Sequence, residues 1–143
     1  MNVLCHGISF CCDNTPLALY AGKHDIRSFG IHEDVEFRYD PLTETANQII
    51  ERISRTWKPD LILFWVPEMQ PPPQGVEDVP VQTVALVSDW NLYYPLLAVN
   101  LARYDLVLCD KPGLAVFESE WVRPHHLFPL YSQISTVHKP YPV

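Results

Sequence analysis

The residues best suited to chemistry in this chain sit just after short apolar runs. Gly7 and Ser9 follow Val3-Leu4-Cys5, and Glu68 follows Leu61-Ile62-Leu63-Phe64-Trp65-Val66. Ser88, Asp89, Trp90 and Asn91 follow Thr83-Val84-Ala85-Leu86-Val87, while Asp110 and Lys111 follow Leu106-Val107-Leu108-Cys109. Carboxylates beside flat aromatic rings suit sugars: hydroxyls want charged acceptors, and C–H faces stack on rings such as Trp90, Tyr93 and Tyr94. Asp89 stands out, because a carboxylate closing a buried strand can take a proton from an attacking hydroxyl; the competing role is that of a helix cap. Glu68 is either a second acidic group or a solvated loop carboxylate. Asp110 is either a ligand or an N-cap ahead of Lys111-Pro112. Lys111 is either a phosphate or carboxylate partner or an ordinary surface lysine, and Gly7 either admits a ligand close to the backbone or only makes a turn.

Other chemistries find less support. Neither G-x-G-x-x-G nor G-x-x-x-x-G-K-[ST] occurs, so nicotinamide and P-loop nucleotide chemistry lack their main sequence support. Cys5, His6, Cys11 and Cys12 are close in sequence, yet no C-x-x-C spacing presents two thiolates to one tetrahedral ion. His125 and His126 are adjacent, and neighbours on a strand point to opposite faces, so only one of them could join a site. A nucleophilic cysteine with a histidine base has no spacing signature here. The expectation is a protein without metal or other cofactor.

The elements that must position these residues follow from hydrophobic patterning. The four apolar runs are short, β-branched and apolar on both faces, as strands buried between two helical layers are. Val35-Glu36-Phe37-Arg38-Tyr39 alternates with period two, as a half-exposed strand near a sheet edge would. Thr45 with Gln48 makes a capping-box signature, followed by a stripe of Ala46, Ile50, Ile53 and Trp57 with Ile49 beside it, while Glu51, Arg52 and Arg55 face water and Pro59 ends the helix. Asp89 or Asn91 is expected to cap a second helix with Pro95 in its first turn and Leu97, Leu101 and Tyr104 on its buried side. A third helix is expected from Pro112, capped by Asp110 and running through Leu114 and Phe117. A last strand is expected over 126–130. Residues 13–33 read as one short helix plus loop, and 67–80 as a long stiff loop carrying Pro71-Pro72-Pro73 and Gly75. The alternation predicts an α/β protein: a Rossmann-like, doubly wound, mostly parallel sheet with helices on both faces. In such sheets ligands bind outside the carboxyl ends of the strands, where the polar residues above fall.

Composition agrees. A chain of 143 residues, 48% hydrophobic and 19% charged, has the balance of one globular domain. Ten basic against seventeen acidic residues give a net charge of −7, which lacks the positive field that a nucleic-acid partner needs. Fourteen prolines punctuate the edges of apolar runs rather than forming a disordered tract. Cys5 and Cys109 lie within predicted strands, where cysteine acts as a small hydrophobe. No membrane span is expected, because the longest apolar run is 61–66. Met1-Asn2 opens the chain without basic residues or a long apolar region, so a cytoplasmic location is expected.

Three segments in the second half carry a family likeness. Lys58-Pro59-Asp60-Leu61-Ile62-Leu63 looks like the entry to a core strand in the N-terminal domain of GT-B glycosyltransferases. Val84-Ala85-Leu86-Val87-Ser88-Asp89-Trp90-Asn91 resembles the strand ending at the acceptor site, and Tyr104-Asp105-Leu106-Val107-Leu108-Cys109-Asp110 resembles the strand after it. The likeness spans roughly residues 35–138 and is nearest to the spore-maturation-type group of bacterial glycosyltransferases. It implies an acceptor-side domain over 1–138, the start of an interdomain linker at 139–143, and a separate C-terminal domain holding the nucleotide-sugar donor. The partners so implied are a sugar acceptor, a nucleotide-sugar co-substrate and that donor domain, without which transfer would be weak or absent. Transfer of GT-B type would need no bound metal. By this likeness Asp89 is the catalytic base, with Gly7, Glu68, Ser88, Trp90, Asn91, Asp110 and Lys111 around the substrate. Many relatives carry histidine where Ser88 stands here, and often serine at the Asp110 position. The alternative is a non-catalytic α/β module that binds a protein or small ligand. A face left uncovered by a donor domain would favour self-association, so sedimentation should show a concentration-dependent homodimer; a profile that stays monomeric at high concentration would count against it.

Overall fold

The computed structural model describes residues 1–7, 23–65, 67, 70–87, 90–119 and 125–127. Its strands are β1 (Asn2–His6), β2 (Asp25–Gly30), β3 (Phe37–Arg38), β4 (Leu61–Trp65), β5 (Gln82–Leu86), β6 (Leu106–Cys109) and β7 (His125–Leu127). They form one seven-stranded sheet in the order β3-β2-β1-β4-β5-β6-β7, parallel at every pairing. The helices are α1 (Ala46–Ser54), α2 (Trp90–Leu101) and α3 (Lys111–Ser119). The chain builds outward from β1 to β3, returns through α1 to β4 on the other side of β1, and builds outward again. That reversal makes the fold Rossmann-like and puts the topological switch point between β1 and β4.

Strand residues alternate between two apolar layers, which is why the runs are hydrophobic throughout. Leu4, Phe29, Ile62, Phe64, Ala85, Val87, Val107 and Cys109 enter one layer, and Val3, Cys5, Leu63, Val84 and Leu86 the other. The first layer receives Ala46, Ile49, Ile50 and Ile53 of α1, Leu97 and Leu101 of α2, and Phe117 of α3. All three described helices therefore cover the same face; any helical cover of the second face lies outside the described residues. Cys5 and Cys109 are buried, as strand cysteines acting as small hydrophobes would be.

Helix α1 follows its sequence signature closely. Thr45 Oγ1 accepts from the Gln48 amide at 3.4 Å, and Gln48 Oε1 accepts from the Thr45 amide at 2.9 Å. Trp57 is buried beyond the helix end, while Glu51, Arg52 and Arg55 are exposed.

Several boundaries differ from the sequence expectations. Within 13–33, the described part contains β2 rather than a helix: Asp-Ile-Arg-Ser-Phe-Gly is drawn into the ladder beside β1, with Asn2 opposite Asp25 and His6 opposite Phe29. The alternating 35–39 run shortens to the two-residue edge strand β3. Helix α1 stops at Ser54, with Arg55 as C-cap, well ahead of Pro59. Asn91 lies inside α2 and is not its cap, and Pro95 falls in the second turn, where it cannot donate to the Asn91 carbonyl. Helix α3 begins at Lys111, one residue before Pro112, and the last strand lies at His125–Leu127 rather than 126–130.

The long loop after β4 is pinned where it is described. Val76, in a short 3-10 turn at Val76–Asp78, is buried in the core. The Gln74 carbonyl accepts from the Ala46 amide at the start of α1 (2.8 Å), and Arg103 bonds Glu77 at 2.8 Å.

Ile53→Ala should cost about 2–5 kcal/mol through lost burial and a residual cavity, and Thr45→Ala about 1 kcal/mol through loss of the cap. Urea unfolding midpoints of the two variants should rank in that order.

Candidate functional site

Parallel strands send the residue after each strand to one edge of the sheet. At the switch point, β1 ends in His6 and the chain turns at Gly7 with φ 102°, in the left-handed region that favours glycine. The Gly7 amide donates to the Phe29 carbonyl at 3.0 Å, and Gly30 of β2 packs close to the Gly7 backbone. A Cβ at Gly7 would strike the side-chain amide of Gln70, whose Cδ lies 3.0 Å from that position. Gly7 makes the turn, and its lack of a side chain lets Gln70, from the loop after β4, pack against its backbone.

Three strands along the sheet from β1, after β6, Asp110 is half-buried and occupied. One oxygen, Oδ1, accepts from the Gly113 amide at 2.8 Å and from the Trp90 indole at 2.9 Å. The first bond is an N-cap on α3, matching one of the two roles foreseen for Asp110. The second ties the start of α2 to the start of α3. Gly113 is needed for that approach, since a Cβ there would lie 2.9 Å from Trp90 Nε1. Trp90 also meets Phe117 edge-on at 6.1 Å. Asn91 and Lys111 are exposed in the first turns of α2 and α3. The structure thus brings Trp90 and Asp110 into direct contact, with Asn91 and Lys111 beside them in sequence and Gly7 further along the same edge. Glu68, Ser88 and Asp89 lie outside the described residues, although β4 and β5, which lead to them, end on this edge.

The buried group nearest the switch point is His6, which sequence reasoning weighed only as a metal ligand. It is 4% exposed and wedged against Phe29 and Phe64, with ring centroids 4.9 and 5.1 Å away. Its Nε2 lies 2.9 Å from the hydroxyl of Tyr39, just past β3, while Nδ1 is buried without a partner among the described residues. Burial, with a smaller contribution from His32, pushes His6 down to about 3, and burial pushes Tyr39 up to about 12. Both are therefore neutral at physiological pH. Tyr39 also lines an open pocket of about 410 Å³ with Ile31, Arg38, Asp40, Pro41 and Glu44. The only hint of this pair in the sequence was an apolar strand ending in histidine; its partner lies 33 positions away.

Burial first, and the neighbouring Asp110 charge second, raise the Cys109 thiol to about 11, so it stays protonated and is no nucleophile at neutral pH. Among the described residues, no group of three or more His, Cys, Asp or Glu could hold a metal ion; Cys11 and Cys12 lie outside them. No described helix is long and apolar enough to cross a membrane.

The opposite edge of the sheet is stapled by its own polar groups. Asp60 Oδ2 accepts from the Asn2 amide and the Lys58 carbonyl accepts from Asn2 Nδ2, both at 2.8 Å. Asp105 Oδ2 accepts from the Thr83 amide at 2.8 Å, and Asp25 Oδ2 from the Trp57 indole at 2.7 Å. Lys58-Pro59-Asp60 and Tyr104-Asp105 are thus strand-entry anchors, remote from the candidate site.

The depressed His6 value has a consequence for stability. The unfolded chain protonates His6 below about 6.5 whereas the folded chain does not until about 3. The stabilisation is present above pH 6.5 and is lost as pH falls through about 3, by roughly 5 kcal/mol in all. Thermal midpoints should fall over that window, and His6→Phe should flatten the fall; an unchanged slope would show that other groups govern it.

Comparisons of the chain with protein-family models, with curated proteins and with solved structures found no match.

Proposed function

We propose that this domain is the acceptor side of a sugar-transfer enzyme of GT-B type, working with a donor-side domain that brings the nucleotide-sugar. The single observation that supports this is the edge formed by the ends of β1, β4, β5 and β6, with a topological switch beside it and acidic and aromatic residues next in sequence. In this reading Asp89 takes the proton of an acceptor hydroxyl. The freed oxygen bonds to the anomeric carbon of the donor as that carbon's bond to the phosphate oxygen breaks, and a nucleoside diphosphate leaves. In the same reading Gly7 admits a ligand to its backbone in place of the Gln70 side chain, and Trp90, held by Asp110, supplies an aromatic ring at the start of α2. Ser88, Asn91, Glu68 and Lys111 contribute polar contacts to acceptor or donor.

The occupied state of Asp110 favours a second reading. A carboxylate already shared by an indole and a helix cap is scaffold, as it would be in a non-catalytic α/β binding module. Exposed Leu92 and Val99, seven residues apart on one side of α2, support an interaction role in either case.

Nucleoside diphosphate release from a nucleotide-sugar, measured with the chain and a co-expressed donor domain, separates the two. Asp89→Asn should lower release by about 100-fold or more under the first reading while leaving acceptor binding intact. Undiminished release in that variant would remove Asp89 as the base, and no release with any donor domain would favour the binding module.

A further inference from the structure

Helix α2 is apolar on its outer side as well as its inner one, unlike a helix whose outer side meets only water. Its sequence, Trp-Asn-Leu-Tyr-Tyr-Pro-Leu-Leu-Ala-Val-Asn-Leu, carries no charge. The other two helices behave as surface helices should: α1 turns Glu51, Arg52 and Arg55 to water, and α3 turns Lys111 and Glu118. Inward, α2 buries Leu97 and Leu101 in the core. Outward, it leaves Leu92 69% and Val99 76% exposed. Their spacing of two turns puts Leu92 and Val99 on one side of the helix, opposite Leu97 and Leu101. Ala102, exposed just past the helix end, extends the strip.

Charge and geometry choose what covers this strip. The chain carries a net charge of −7, so two copies repel one another over much of their surfaces. On the outer side of α2 they can meet without opposing like charges. The strip is also complementary to itself. A two-fold axis passing midway between Leu92 and Val99 sets α2 antiparallel to its copy, with Leu92 of each chain against Val99 of the other. A donor domain fits the strip less well. Leu92 and Val99 are about 10 Å apart along the helix, so the strip runs back from the carboxyl edge where α2 begins, whereas a donor domain would stand over that edge. A strip of this length is small for a permanent dimer, so the association it supports is weak and reversible.

We propose that the outer side of α2 is a self-association surface, on which two copies of this chain pack their α2 helices antiparallel through Leu92 and Val99. The contact is separate from the crevice at the switch point, and it stands or falls independently of the transfer reaction.

Sedimentation velocity of the intact chain from micromolar to millimolar concentration should show a reversible monomer–dimer equilibrium. Leu92→Glu and Val99→Glu should each weaken it about ten-fold or more, because symmetry brings each new carboxylate into the contact twice, against an apolar residue. Both positions are exposed in the single chain, so the variants should keep the wild-type far-UV circular dichroism. Leu42→Glu, at a 91% exposed site in the turn before α1, should leave the equilibrium unchanged. The double variant Leu92→Glu/Val99→Lys sets opposite charges face to face only in the antiparallel arrangement, and it should dimerise more tightly than Leu92→Glu alone. A monomer at every concentration, a dimer that withstands both single substitutions, equal weakening by Leu42→Glu, or a double variant no tighter than Leu92→Glu would overturn the proposal. So would a monomeric chain whose capture of a co-expressed donor domain is lost on Leu92→Glu, since the strip would then belong to that domain.

Discussion

Strand β1 lies between β2 and β4, parallel to both, and the rest of the molecule is arranged around that placement. His6 sits opposite Phe29 on one side and Phe64 on the other. The three rings close over one another at centroid distances of 4.9 to 6.1 Å, and Tyr104 joins through Phe64 at 5.0 Å. A parallel sheet is stable only when both of its faces are covered. The strand that starts the chain therefore becomes its most buried, and the residue after it must leave the core in a sharp turn. Gly7 meets that demand with a backbone conformation that side chains disfavour.

The two edges of the sheet use polar residues differently. At the amino ends of the strands, Asp25, Asp60 and Asp105 accept from the Trp57 indole and from the Asn2 and Thr83 amides, so buried donors beside the core are satisfied and adjacent strands start in register. At the carboxyl ends, Asp110, the one described carboxylate following β4, β5 or β6, is tied down by Trp90 and the α3 cap. That contact aligns two helix starts on the edge where a ligand would be received.

The pairing of His6 with Tyr39 links these themes. Burial removes the charge from histidine and keeps the proton on tyrosine, so the pair is a fixed hydrogen-bonding unit rather than an acid and a base across the ordinary pH range. A unit of this kind ties β1 to the residue after β3 without carrying charge.

Much of the fold was legible from local pattern. Four apolar runs announced β1, β4, β5 and β6, the Thr45 and Gln48 spacing announced α1, and the positions of Gly7, Trp90, Asn91, Asp110 and Lys111 at strand ends followed from them. These signals are local, since periodicity and capping depend on residues a few positions apart. Strand β2 gave no such signal: its segment, within 13–33, read as a short helix plus loop, and pairing with the open ladder edge of β1, with Arg27 over the Trp57 ring at 5.0 Å, draws it into the sheet. Strand order, the Gln70 cover on Gly7, the shared oxygen of Asp110 and the His6–Tyr39 contact were likewise decided in three dimensions. Each joins residues far apart in the chain, and a hydrogen bond or ring contact across such a distance leaves no periodic trace in the order of amino acids.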